Sequence, residues 1–128
     1  MADRKIYFAT DIHGSEVCLR KFLNSAKFYG CDTLIMGGDI TGKMIVPIVS
    51  RGAGAYSATL YGRQLEVDDD GLPKLRKTIA DVGYHGYETT PEEMERFRAD
   101  PAAVTELFGQ LMHETLGRWL ALADERLA

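Results

Sequence analysis

The stretch Lys5-Ile6-Tyr7-Phe8-Ala9-Thr10-Asp11-Ile12-His13-Gly14 and its later counterpart Thr33-Leu34-Ile35-Met36-Gly37-Gly38-Asp39 decide the fold. Each begins as a short apolar run rich in β-formers and stops at an acid beside glycine, the pattern of a buried strand running into a loop. Between them, Ser15 is placed to cap a helix, and Leu19, Phe22, Leu23 and Ala26 recur at helical spacing. Gly30 stands where that helix can end in a left-handed conformation. Strand, helix, strand reads as a βαβ unit with parallel strands, and the fold class as α/β. The carboxyl ends of both strands share one sheet edge, where ligands bind in such folds. Asp11 closes the first strand and Asp39 the second.

Downstream the pattern changes. Met44 to Ser50 is β-rich but contains Pro47, which suits an edge strand or an extended segment. Ala55–Leu60 and Arg63–Val67 are set to pair as a hairpin around Tyr61-Gly62. A helix is expected from Leu72 to Val82, with Leu75, Ile79 and Val82 on one face, and Tyr84 to Tyr87 reads as a loop or short strand. Thr90-Pro91-Glu92-Glu93 is a helix start, with a threonine cap, proline in the first turn and glutamate three residues past the cap. That helix ends near Arg98, and Asp100-Pro101 starts another. The last helix carries Val104, Phe108, Leu111, Leu116, Trp119, Leu120 and Ala123, an apolar stripe that needs a partner. The whole reads as one domain: a βαβ core over residues 1–50, then a hairpin and helical insertion over 53–128. Only two parallel strands stand out, and parallel strands are normally covered on both faces. With the final helix running to the last residue, an incomplete domain is expected.

Composition narrows the function classes. Of 128 residues, 45% are hydrophobic and 27% charged, which suits a globular chain. A formal charge of -4 argues against broad attraction to nucleic acid. It leaves phosphate-bearing substrates open, because bound cations bring their own positive charge. Two cysteines, Cys18 and Cys31, make no disulfide framework, and no apolar run is long enough to span a bilayer. Without a signal-peptide pattern, a cytoplasmic setting is expected.

Asp11, His13 and Asp39 form the candidate chemistry. Asp and His two apart after a strand can face one ion where a loop or extended backbone puts alternate side chains on one side, and a carboxylate with an imidazole suits Mn, Fe, Zn or Ni. Taken singly, each has a plain alternative as turn former, helix cap or surface histidine. The shared sheet edge favours a joint role in holding metal. Gly37 to Lys43 also matches the spacing of a phosphate-binding loop, but Met44 replaces the Ser or Thr that would reach magnesium, and Pro47 argues against the helix that should follow. Lys43 remains a candidate for touching a substrate phosphate. His85, between Tyr84 and Gly86, lacks a strand-end context, and His113 reads as a helix-surface residue. The tyrosines at 56, 61, 84 and 87 and Phe97 lack basic interleaving, so they read as packing groups rather than a base-stacking surface.

Asp11-Ile12-His13-Gly14 together with Gly37-Gly38-Asp39-Ile40-Thr41-Gly42-Lys43 resembles the first two motifs of the calcineurin-like metallophosphoesterases, in a prokaryotic branch whose second motif reads Gly-Asp-x-Thr-Gly-Lys. The resemblance covers about the first fifty residues. It implies a metallophosphoesterase-type αβ sandwich and hydrolysis of phosphate mono- or diesters at a centre of two divalent metal ions, Mn or Fe, with Zn as a further option. It implies that Asp11 and His13 ligate the first metal and that Asp39 bridges both. The family's later Gly-Asn motif, its further histidine and its Gly-His-x-His motif have no counterpart here, and the sole asparagine, Asn24, falls in the first helix. The leaving-group histidine is missing with them, so the chain alone is expected to be weak or inactive. The alternative expectation is a non-catalytic αβ module that binds a metal or a protein partner.

Overall fold

The computed structural model describes residues 3–127. Among them lie four helices and two sheets, in the order β1 (Ile6–Ala9), α1 (Glu16–Tyr29), β2 (Thr33–Met36), β3 (Ile45–Gly52), β4 (Ala55–Leu60), β5 (Arg63–Asp68), α2 (Leu72–Asp81), β6 (His85–Thr89), α3 (Pro91–Ala99) and α4 (Pro101–Leu127). The chain is therefore mixed α/β. No described helix is long and apolar enough to cross a membrane.

β1 and β2 pair in parallel, Ile6 with Thr33 through Ala9 with Met36, and α1 makes the crossover. The Ser15 hydroxyl caps α1 by accepting from the Cys18 amide at 3.3 Å. Gly30 ends the helix at φ 63°, and the Cys31 amide returns to the Ala26 carbonyl. Alternation along the strands sends Tyr7, Ala9, Leu34 and Met36 toward α1, where Leu19, Phe22 and Leu23 close a core completed by Trp119 of α4. The opposite face is bare: Ile6 and Phe8 keep 60% and 61% of their surface.

The second sheet has the order β5-β4-β3-β6. β4 and β5 form the hairpin, turning between Leu60 and Arg63, and β6 runs parallel to β3. α2 covers one face, and Val46, Ile48, Ala58, Leu60, Leu72, Leu75 and Ile79 make the larger core. β3 is thus a central strand, rather than the edge strand or extended segment that Pro47 suits. The sheet tolerates the proline through local geometry. The Met44 carbonyl accepts from the His85 amide, so even-numbered residues of β3 aim their polar groups at β6 and Pro47 aims at β4. The β4 ladder starts only at Val49, so the missing N–H falls where no pairing is made. β3 also leaves the βαβ unit and joins the hairpin, so the two sheets divide the chain between Met36 and Ile45.

Two devices hold the sheets together. The Ser15 hydroxyl, besides capping α1, donates to the Asp81 carbonyl at the end of α2, 2.7 Å away. α4, about 40 Å long at the helical rise, lies along both halves. Arg118 donates to Glu16 and Arg126 donates to Asn24, while Thr115 meets His85. Its apolar stripe is only partly used: Trp119 is buried, whereas Leu120 is 72% exposed.

Candidate functional site

The loop from β1 to α1 and the loop after β2 run side by side because their backbones are paired. The Asp11 amide donates to the Gly38 carbonyl at 3.0 Å, His13 to Asp39 at 2.9 Å, and Gly14 to Ile40 at 2.7 Å. These bonds continue the β1–β2 pairing beyond the strands and bring Asp11, His13 and Asp39 together. One ligand-type atom from each lies within 4.8 Å of the others. His13 Nε2 is 3.7 Å from Asp11 Oδ1.

The three residues converge by a different route from simple alternation. Asp11, His13 and Asp39 have φ of 59°, 49° and 47°, all in the left-handed region. Of the five described non-glycine residues with positive φ, the other two, Ala53 and Tyr61, sit in hairpin turns. Asp and His enter this region more readily than most side chains, but the conformation still costs free energy, and such strain gathers at functional sites. Here the inter-loop hydrogen bonds hold it.

Three glycines explain why the loops can lie so close to the second sheet. A Cβ on Gly14 would strike the Gly42 backbone, one on Gly42 would strike the Gly83 carbonyl, and one on Gly83 would strike the His13 carbonyl. The glycines of both sequence motifs are therefore contact points between the two halves. Gly37 has a separate reason: a Cβ there would meet the Phe8 ring.

Electrostatics set Asp11 apart. A side-chain hydrogen bond with Asp39 holds its carboxyl below the usual carboxylate range, helped by Thr10, His13 and Lys43 and opposed by slight desolvation. Two carboxyl groups in such contact need a proton or a cation between them. His13 Nδ1 is buried without a hydrogen-bond partner among the described residues. Two exposed acids and a half-buried imidazole, each offering one ligand atom, form a donor set that fits a divalent transition-metal ion. Three side chains fill only part of one coordination shell, so the two-ion centre of the resemblance has ligands here for one ion.

Lys43 is exposed on the same loop and close enough to Asp11 to act on its charge. His113 is exposed on α4, and Asn24 is engaged by Arg126, so neither joins the cluster. His85, read as lacking a strand-end context, lies at the start of a short strand and away from the cluster. It is the first residue of β6 and only 7% exposed, behind Gly42 rather than among the three ligand-type groups. Burial lowers its pKa; the Gly42 backbone opposes that shift and Arg118 adds to it. No family model matches the chain, and no curated protein or solved structure matches it significantly.

Proposed function

We propose that this chain carries part of the active site of a metal-dependent phosphoesterase, with Asp11, His13 and Asp39 holding a divalent cation, Mn or Fe in preference to Zn. The observation that carries the reading is the convergence of two carboxylates and an imidazole within 4.8 Å on loops bonded backbone to backbone. When bound, such a cation supplies Lewis-acid polarisation of a phosphate ester and acidification of water. The chain's own residues do the rest. The loops fix the direction of the donors before any ligand arrives, and Lys43 offsets phosphate charge from the rim. Full phosphoesterase chemistry calls for additional ligands, which the calcineurin-like resemblance assigns to later motifs.

A second reading has its own support. The bare face of β1–β2, with Ile6, Phe8 and Ile35 exposed, favours a module that binds a cation and a protein partner without catalysis.

One experiment separates the readings. Calorimetric titration with Mn²⁺ is paired with Mn²⁺-dependent hydrolysis of an aryl phosphate and a bis-aryl phosphate. Binding with hydrolysis supports the enzyme and sinks the module, whereas binding alone supports the cation site that both readings share. Asp39→Asn is expected to lose Mn²⁺ binding while changing stability by less than about 1 kcal/mol, since Asn tolerates left-handed φ. Undiminished binding in that variant removes the metal assignment.

A further inference from the structure

His85 presents a buried polar atom that packing alone does not explain. Its ring meets Phe108 edge-on, with centroids 5.5 Å apart, and Nδ1 lies 3.4 Å from the Thr115 hydroxyl. Arg118 donates to that same hydroxyl oxygen from 3.4 Å. A guanidinium can only donate, so the Thr115 oxygen accepts from Arg118 and its hydrogen is free to go to Nδ1. With that hydrogen donated to Nδ1, the ring is the tautomer that carries its proton on Nε2. Nε2 is buried and has no well-formed hydrogen bond among the described residues, although the Gly42 backbone lies near enough to act on the ring. It faces Gly42, so closely that a Cβ there would lie 3.1 Å from it. The only acceptor a glycine offers is its carbonyl. A phenylalanine or leucine could fill this space without stranding a donor.

We infer that His85 is a positioning residue for the candidate cation site, acting through Gly42. The inference rests on the cation-binding reading above. Gly42 closes the segment that begins at Asp39, and Gly14 N–H binds the Ile40 carbonyl within it. The Nε2–H, directed at the Gly42 carbonyl, holds the segment from Asp39 to Gly42 against β6 and so keeps the Asp39 side of the site in place for a cation. The histidine thereby links metal affinity to the second sheet, with Thr115 and Arg118 of α4 holding the ring in the required tautomer.

The test is Mn²⁺ affinity by calorimetry at a fixed pH near 7.5, where the ring is neutral, for wild type, His85→Phe and His85→Gln. Phenylalanine keeps the packing and removes the donor, and glutamine restores an N–H close to the Nε2 position. His85→Phe is expected to weaken Mn²⁺ binding about tenfold, as loss of an outer-shell partner does, and His85→Gln to recover most of that loss. Trp119 emission, reporting from α4, checks that each variant is folded. Wild-type affinity in His85→Phe, or no recovery in His85→Gln, overturns the inference. If His85→Phe fails to fold, Thr115→Val decides in its place, with weaker binding expected and unchanged affinity overturning. Absence of Mn²⁺ binding by wild type sinks the site reading and this inference with it. Binding by wild type that no variant alters sinks the inference alone.

Discussion

β1–β2 buries one face and leaves Ile6, Phe8 and Ile35 bare on the other, whereas the four-stranded sheet closes over α2 until Ile48 and Ile79 retain 1% and 0% of their surface. The candidate chemistry sits on the thinner half. Its three donors are fixed by backbone pairing and by left-handed residues rather than by deep packing. The thicker half supplies what the thin one lacks: a rigid floor at Gly83 and His85, against which Gly14 and Gly42 are pressed. In this chain, strain and the candidate site lie on one sheet and the larger core on the other, and the glycine junction couples them.

Substitutions can break that division in order of severity. Ile79→Ala, in the thick half, is expected to cost about 2–5 kcal/mol. Its urea midpoint should fall far enough to threaten folding, and a small change would mean the larger core is not the main source of stability. Next comes Gly83→Ala, which drives a methyl group into the His13 carbonyl at a φ of 90°. Overpacking of this kind costs about 1–3 kcal/mol. Because the blow falls on the junction, Mn²⁺ affinity should drop together with the melting temperature. Loss of stability with full affinity would show that the halves are uncoupled.

A gentler probe is pH. Folding holds His85 neutral below the ordinary imidazole value of about 6.5, chiefly by burial. As pH falls from there through the lower folded value, the unfolded chain takes up the proton first, so stability falls. The urea midpoint should be lower near pH 5.5 than near pH 7.5, and His85→Phe should shrink that difference. An undiminished difference would assign the acid sensitivity to other groups. The smallest effect is expected from Ile6→Thr on the bare face, within about 0.5 kcal/mol, because that side chain already meets water. A large loss there would mean that the thin sheet depends on its exposed face.

Much of the thin half was legible in the sequence because its signals are local. Ser15, the apolar spacing from Leu19 to Ala26, and Gly30 fix α1 from within, and the hairpin at Tyr61-Gly62 and the start at Thr90-Pro91 are equally self-contained. At Thr90-Pro91 the Thr90 hydroxyl caps the helix by accepting from the Glu93 amide, while the Glu93 side chain turns to a neighbour. Its carboxylate accepts from the Thr89 hydroxyl at 2.5 Å. What sequence reading misses is set by distant residues. In β6 the fully buried positions are His85 and Thr89 rather than aliphatic residues, so the alternation carries no hydrophobic signal. Pro47 reads as an edge marker because nothing near it reveals that the β4 ladder begins two residues later. The meeting of Asp11, His13 and Asp39 was expected from strand order, but the left-handed backbone that produces it was not. Nor does local pattern show that Gly14, Gly42 and Gly83 are glycines for one another's sake.

The uncovered face of β1–β2 has a colloidal consequence. Near neutral pH the net charge of -4 keeps copies apart. Toward the isoelectric point near 5.3 that repulsion fades, while the oily patch of Ile6, Phe8 and Ile35 is unchanged. Flanked by two short strand edges with no pairing among the described residues, the patch is where two molecules would first adhere, so solubility should reach its minimum through this small sheet.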